Sequence, residues 1–182
     1  MKKNVIAIAA VLILLTVLIC NLDIQTPEQY YSEHSEGISS DRITVTLSVD
    51  CMVLAENTVL LEQIERKNPT LPQNGIIIPE TQYSISRGDT VFDVLTDSLR
   101  SNKIQYDYSG GDGLSAVYVK GINNLYEYDG GDLSGWMYSV NGEFPQVSCS
   151  DYVLEDGDVI CWRYSCDLGR DIGDNYYNND KK

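Results

Sequence analysis

The stretch GDTVFDVLTDSLRSN, residues 88–102, decides the fold, because it contains the clearest helix of the chain. Thr90, with Asp93 three residues later, matches a capping box and predicts that the helix begins there. Apolar residues then recur at helical spacing before Asn102, at Val91, Val94, Leu95 and Leu99. A single apolar stripe needs a partner surface, so this helix requires a sheet to cover.

The residues before this helix predict two strands. Segment 43–51 alternates strictly between apolar and polar residues, which indicates a strand with one buried face. A turn-rich connector follows at 68–75, and Ile76–Ser86 is predicted to be a second extended segment, entered beside Pro79.

Short strand candidates separated by Gly and Asn follow the helix, at 104–108, 116–119, 125–128, 136–140 and 159–164. Asn141-Gly142 is the strongest local hairpin signal, because this pair accepts the two positive φ angles of a type I′ turn. Asp156-Gly157 predicts a second tight turn. The element order therefore predicts an α+β fold, a mixed sheet with one main helix packed across it.

The N-terminus, residues 1–22, is predicted to be a signal peptide or signal anchor. Lys2 and Lys3 precede an apolar run at 5–19, and acidic residues follow, which places the rest of the chain outside the cell membrane. A retained anchor is the first interpretation. A variant lipoprotein acylated at Cys20 is the second, since the bulky Ile19 precedes that cysteine. Cleavage and free secretion are the third.

Residues 23–41 are predicted to be a polar stalk, because they are rich in Ser, Glu, Gln and Tyr and have no apolar period. The single histidine, His34, lies there, where nothing packs around it to set its geometry. No nucleophile, metalloprotease or phosphate-binding motif occurs in the sequence, and we therefore expect no enzyme activity.

The charge balance excludes some partners. Lys and Arg number 13 against 27 for Asp and Glu, a formal net charge of -14. Such a surface repels nucleic acid. Acidic clusters such as Asp129 with Asp132 lack the spacing of an EF-hand, so we expect a solvated acidic face and no metal site.

Six segments together resemble a bacterial surface-protein family related to the C-terminal domain of transcobalamin and intrinsic factor. They are SVDC at 48–51, GDTVFDVL at 88–95, GINNL at 121–125, SGWMYSVNG at 134–142, DGDVI at 156–160 and CDLG at 166–169. The resemblance implies a β-grasp-like domain of the soluble-ligand-binding branch, at 42–173. Residues 174–182 after it are predicted to be a disordered tail.

The resemblance also implies a function. The corresponding domain of transcobalamin covers one face of cobalamin, and a larger helical domain covers the other face. We therefore expect a ligand-binding domain with no resident cofactor, for which cobalamin or another corrinoid is a possible ligand, and which associates with a transporter or partner domain. The alternative is a cell-surface interaction module that binds protein or glycan and has no small-molecule pocket.

Candidate ligand-binding residues follow from the same motifs. They are Trp136, Tyr138, Asn141 and Phe144 on the predicted hairpin, with Tyr126 and Tyr128 on the neighbouring strand as weaker candidates. For each residue taken singly, a purely structural role in the sheet stays open.

The cysteines of an extracellular chain are normally paired. By the resemblance, Cys51, Cys149 and Cys166 occupy family cysteine positions, whereas Gly130 stands where many members carry a fourth cysteine. The resemblance favours a Cys149–Cys166 disulfide, which would stabilise the domain by roughly 3 kcal/mol. Cys51 and Cys161 are predicted to face opposite sides of the sheet if their strands are neighbours, so a bridge between them would need a bulge.

Overall fold

The computed structural model describes residues 41–111, 113, 116–174 and 176. The predicted N-terminal segment 1–22 with Cys20 and the stalk up to residue 40 with His34 lie outside them. Contacts divide the chain into two units, Met1–Asp41 and Arg42–Lys182, and only the second is described below. Within the described residues, no helix has both the length and the apolar character needed to cross a membrane.

The domain contains strands and helices in mixed order. The strands are β1 (Arg42–Asp50), β2 (Ile76–Ser86), β3 (Tyr106–Ser109), β4 (Tyr118–Ile122), β5 (Leu125–Tyr126), β6 (Gly135–Val140) and β7 (Val159–Ser165). The helices are α1 (Met52–Glu56), α2 (Thr58–Glu65) and α3 (Val91–Ser101), with a short 3₁₀ helix at Arg170–Ile172. The predicted α+β class is confirmed.

The main sheet is mixed and has the strand order β2-β1-β7-β6. β1 pairs with β2 in antiparallel and with β7 in parallel orientation, which aligns Leu47 with Ile160 and Val49 with Trp162. The alternation of β1 is realised as predicted, since its apolar residues are buried and its polar residues are more exposed. One face of the sheet is therefore continuously apolar.

Helix α3 covers this face. Thr90 and Asp93 form the predicted capping box, in which the Thr90 N–H donates to Asp93 Oδ2 at 2.8 Å and the Asp93 N–H donates to Thr90 Oγ1 at 3.3 Å. The predicted stripe is buried in one core with the residues of β1 and β7. Burial of each large aliphatic side chain in this core contributes about 1.5–3 kcal/mol.

The region after α3 differs from the single sheet that we predicted. β3, β4 and β5 form a separate three-stranded antiparallel sheet. Asn123 and Asn124 adopt φ angles of 52° and 57° and turn β4 directly into β5. Such local pairing needs little loop-closure entropy, so these strands pair with one another. The predicted strand 125–128 is correspondingly shorter and leaves Tyr128 in a turn.

Helices α1 and α2 were also not predicted, because residues 52–65 lack a strong cap and a clean apolar period. Locally, the Asn57 side chain accepts a hydrogen bond from the Leu60 N–H at 3.2 Å. Leu54 and Ile64 are buried in the main core. Tertiary packing therefore supports these short helices where intrinsic propensity is insufficient.

The predicted Asn141-Gly142 turn is present. Asn141 and Gly142 have φ angles of 54° and 84°, and the Val140 N–H donates to the Glu143 carbonyl at 2.9 Å. The return strand ends after this one bridge between Val140 and Glu143, and β6 takes β7 as its sheet partner. Phe144 consequently leaves the ladder and is available to a neighbouring surface.

We predict that Thr90→Ala lowers the free energy of unfolding by about 1 kcal/mol, because the side-chain half of the capping box is lost at the helix that covers the sheet. Urea unfolding followed by Trp fluorescence measures the change. Thr90→Ser is the matched control and should retain most of the stability. Equal stability of the Ala variant and the wild-type chain would contradict the role assigned to this cap.

Candidate functional site: an aromatic groove along β6

The candidate site lies beside β6, the edge strand of the main sheet. β6 is in contact with β4 of the second sheet, and segment 144–149 runs close to both. Between them lies a groove of about 280 Å³. Its lining is mostly apolar and includes Val117, Val119, Trp136, Met137, Tyr138, Phe144, Val147 and Trp162.

Two aromatic side chains form an ordered part of the groove wall. The antiparallel register pairs Tyr138 with Trp162 on neighbouring strands. Their ring centroids are 5.4 Å apart and the planes are tilted by 32°. Aromatic pairs at such separations contribute beyond simple area burial, so this part of the wall is preorganised.

Hydrogen bonds hold the opposite wall in place. The Tyr138 hydroxyl donates to the Val147 carbonyl at 2.8 Å. The Ser148 hydroxyl donates to the Val117 carbonyl at 2.9 Å and ties the same segment to the residue before β4. Burial raises the pKa of Tyr138, with the neighbouring Cys149 adding to the effect, so its phenol stays protonated as a donor at physiological pH. These two hydrogen bonds tie segment 144–149 to β6 and to the residue before β4.

A second cavity of about 280 Å³ adjoins the groove and shares Tyr118, Trp136 and Met137 with it. Its rim carries exposed apolar side chains, among them Tyr128, which is 64% exposed, and Leu133. Burial and the hydrogen bond from the Tyr118 hydroxyl to Glu127, at 2.8 Å, raise the pKa of Tyr118. Tyr118 on this side of the site is thus a neutral hydroxyl at physiological pH.

The Tyr164 hydroxyl anchors the turn that forms this rim. It donates to the Tyr126 carbonyl at 2.7 Å and accepts from the Gly130 N–H at 2.9 Å. The Ser134 hydroxyl lies 2.9 Å from the same oxygen. Because Tyr164 is fully buried, these contacts connect the turn at 126–134 directly to the core.

The other end of the groove is acidic. A cavity of about 330 Å³ adjoins it there and shares Phe144, Gln146 and Asp174 with the groove, and Glu143 adds a second carboxyl group. Asp174 is only 6% exposed. Among the described residues that line the groove, none is Lys or Arg. The site therefore favours neutral or cationic molecules over anions.

Four of the six candidate ligand-binding residues line these cavities. Trp136 and Tyr138 line the groove from β6, Phe144 lies between the groove and the acidic end, and Tyr128 borders the second cavity. Trp136 is also a core residue, since it is 5% exposed and its indole N–H donates to the Leu125 carbonyl at 2.9 Å.

Asn141 and Tyr126 have structural contacts and do not line the described cavities. The Asn141 amide donates to Asp158 at 2.8 Å and accepts from the Val159 N–H at 3.0 Å, which ties the turn to β7. The Tyr126 ring packs against Gly121, where a Cβ atom would lie 2.7 Å from the ring. Its hydroxyl accepts from the Gln105 amide at 2.8 Å. Ligand contact by these two residues stays a prediction.

Sequence reasoning missed Tyr118, Met137 and Trp162 as site residues. Trp162 alternates with Ile160 and Tyr164, a pattern that indicates core, and only the pairing of β7 with β6 brings it to the groove. Met137 reaches the site because Gly169 lets the chain approach closely. A Cβ atom on Gly169, whose φ is 85°, would lie 2.9 Å from the Met137 sulfur.

Metal-binding side chains do not come together in the described part of the chain, where no three His, Cys, Asp or Glu residues form a cluster that could hold an ion. Apart from Asp174 and Cys149, the residues with polar side chains that line the groove are Tyr, Ser, Gln and Trp. The arrangement suits apolar contact with a few hydrogen bonds, the usual pattern of a small-molecule site.

The four cysteines of the described residues are free thiols, and the Cys149–Cys166 disulfide that we predicted is not present. The two cysteines have different neighbours. Cys149 lies beside Tyr138, whereas Cys166 follows the far end of β7 beside Asp171 and the Gly130 position. The separation arises because segment 144–149 crosses back to β4 and α3, where the Phe92 N–H donates to the Cys149 carbonyl at 3.0 Å.

The strand alignment places Cys161 on the opposite face of the sheet from Cys51. β1 and β7 are neighbours, and Cys161 is paired with Ser48 on the polar side of β1, opposite Cys51.

At Gly130, a Cβ atom would lie 3.0 Å from Cys166 Sγ. In a disulfide, the Cβ atom of one cysteine lies at about this distance from the sulfur of the other cysteine. The position where the resembling family has its fourth cysteine thus faces Cys166.

We predict that Gly130→Cys forms a disulfide with Cys166 and raises the free energy of unfolding by up to ~4 kcal/mol in the chain-entropy model. Alkylation in denaturant without reductant, followed by peptide mass analysis, should leave Cys166 unlabelled. Gly130→Ser is the control, since its side chain meets the same contacts with Tyr164 and Ser134 without forming a bridge. A labelled Cys166 in the cysteine variant would refute the pairing.

We also predict slow, strongly pH-dependent alkylation of Cys166. Burial, followed by the charges of Asp171 and Asp167, raises the pKa of this thiol from 9.0 to about 11. At pH 8 its thiolate fraction should be about 100-fold below that of an unperturbed cysteine, and labelling by iodoacetamide should accelerate about tenfold per pH unit up to pH 10. The unfolded chain is the control, and equal rates at pH 8 would contradict the shift.

The chain is similar to one protein family and to several solved structures. It matches the model of a family described as Domain of unknown function (DUF4430) over residues 88–166, and no curated protein matches. Among solved structures it is similar to haptocorrin in complex with Cbi, with a TM-score of 0.49 and 17% identity, covering 68% of this chain and 25% of that chain. It is also similar to a candidate metal-binding protein from Ruminococcus gnavus ATCC 29149, with a TM-score of 0.38 and 13% identity, covering 68% and 96%. The chain thus spans a quarter of the haptocorrin chain, and the family match extends from just before α3 to just after β7.

Proposed function

We propose that this chain is an extracytoplasmic ligand-binding domain that captures a largely apolar small molecule in the groove along β6, with cobalamin or another corrinoid as the leading candidate. The observation that carries the proposal is the preorganised groove itself. Tyr138 and Trp162 form an aromatic wall, and hydrogen bonds hold segment 144–149 opposite to it.

The size of the groove limits what one chain can do alone. A groove of about 280 Å³ is just below the usual range for small-molecule sites, about 300–1,000 Å³. A corrinoid would therefore rest against it with one face and leave the other face open. We expect weak binding by this chain and tighter binding when a partner chain or transporter covers the second face.

The chemistry of the lining is compatible with this ligand class. A corrinoid has a broad apolar ring system with neutral amide groups around it, and the groove has aromatic walls with neutral hydroxyl and amide groups. The corrinoid assignment itself comes from the resemblance of segments such as SGWMYSVNG at 134–142 to the transcobalamin-related family. The proposal is of capture without catalysis and without a resident cofactor.

Location completes the proposal. Lys2 and Lys3 before the apolar run at 5–19, with acidic residues after it, favour a domain on the outer face of the cell membrane, or a secreted one if the segment is cleaved. A captured nutrient would then be delivered to an uptake system in the same membrane.

A second candidate function has its own support. Exposed apolar side chains surround the second cavity, where Tyr128, Leu133 and Leu168 all lie on the rim. Clusters of this kind often mark protein contacts. The alternative is a surface module that binds a protein or glycan through this rim and takes no small molecule.

Equilibrium dialysis of the purified full chain in detergent, with cyanocobalamin and dicyanocobinamide as probes, tests the proposal. We predict saturable binding that Phe144→Ala weakens about tenfold, since a large aromatic contact is lost at the groove. Tyr108→Ala is the matched control, because Tyr108 is an exposed aromatic on β3 that does not line the groove.

The outcomes separate the two candidate functions. Saturable binding that depends on Phe144 supports capture. Binding that Phe144→Ala and Tyr108→Ala reduce equally would place the ligand elsewhere and contradict the proposed site. The absence of saturable binding to either corrinoid would reject the corrinoid assignment for the isolated chain and favour the surface module.

A further inference from the structure

Trp162 has a buried polar atom without a partner. The residue is 2% exposed, and its Nε1 atom is the buried side-chain nitrogen or oxygen that lacks a hydrogen bond among the described residues. Burying a donor without an acceptor costs the desolvation of that group and brings nothing in return. Folded proteins therefore rarely retain such an atom without a reason.

The position of Trp162 suggests the reason. Its indole lines the groove along β6, and the N–H is the single hydrogen-bonding group of an indole. The second tryptophan at the site is different, because the Trp136 N–H is already bonded to the Leu125 carbonyl at 2.9 Å. Trp162 is thus the indole of the groove whose donor has no partner. Because this nitrogen has almost no accessible surface, a ligand reaches it only when neighbouring side chains of the groove shift.

The surroundings define the acceptor that the donor can take. The lining around Trp162 is mainly apolar, and the charged side chain described there is Asp174, which is itself an acceptor and buried. An anionic acceptor would meet this carboxyl group, Glu143 at the adjoining end and a chain with a net charge of -14. A neutral carbonyl oxygen can enter without that repulsion.

We propose, building on the ligand-binding role of the same groove, that the Trp162 N–H donates to an uncharged amide carbonyl of the ligand, and that the groove selects neutral amides over carboxylates. The apolar walls supply non-directional affinity. The indole N–H supplies the direction, since a ligand that lacks the carbonyl leaves the donor unsatisfied.

Three probes of nearly equal shape test the proposal on the full ¹⁵N-labelled chain in detergent. Benzamide presents a neutral carbonyl, benzoate presents an anionic one, and toluene presents none. The chain has two Trp residues, so two indole N–H resonances are expected, and Trp162→Phe assigns them. The Trp136 signal is an internal control because its N–H is already bonded.

We expect benzamide to bind with roughly millimolar affinity and to shift the Trp162 N–H resonance downfield, with little change at Trp136. Toluene should shift groove methyl and aromatic signals without moving this N–H downfield, and benzoate should bind at least several-fold more weakly than benzamide. Trp162→Phe removes part of the apolar wall as well as the donor, so it should weaken benzamide about fivefold more than it weakens toluene.

The proposal is overturned if benzamide binds in the groove without a downfield shift of the Trp162 N–H, if benzoate binds as well as benzamide, or if Trp162→Phe weakens toluene equally. Any of these results leaves the ligand-binding function standing. A benzamide response without corrinoid binding supports the inference and rejects only the corrinoid. If none of the three probes perturbs groove signals, the inference and the proposed groove fail together.

Discussion

The parallel pairing of β1 with β7 is the contact on which the rest of the structure depends. It joins the first strand of the domain to the last, and it aligns Leu47 with Ile160 and Val49 with Trp162. The loop-closure entropy of such a distant pairing grows only slowly with chain length, and burial of these apolar residues beneath α3 offsets it. Without this register, the apolar faces of the two strands would not form one surface for the helix.

The same pairing determines where the groove lies. Once β1 occupies one side of β7, β6 can pair only on the other side and becomes the edge of the main sheet. Its aromatic residues then meet β4 and segment 144–149. The site is therefore assembled at a junction between two sheets, where neither sheet alone could provide both walls.

Tyrosine has two roles at this junction. The rings of Tyr138 and Tyr164 pack against Trp162 and Trp136, respectively. Their hydroxyls donate to the carbonyl groups of Val147, outside the strands, and of Tyr126, the last residue of β5. One side chain thereby contributes apolar burial and a directional tie. This explains how a chain with 13 tyrosines and two phenylalanines holds irregular segments against its core.

Local patterns in the sequence determined the elements whose signals depend on near neighbours. The alternation of β1, the bounds of β2, the capping box of α3 and the Asn141-Gly142 turn could all be predicted, because caps, periodicity and positive φ angles are local properties. The motif resemblance suggested six candidate ligand-binding residues, of which Trp136, Tyr138, Phe144 and Tyr128 line the cavities and Asn141 and Tyr126 do not. Only the tertiary structure decided that β3–β5 form their own sheet, that Cys149 and Cys166 lie apart, and that Trp162 reaches the groove. These features depend on which distant segments become neighbours, and that choice is made by the burial of the whole core rather than by any one stretch of residues.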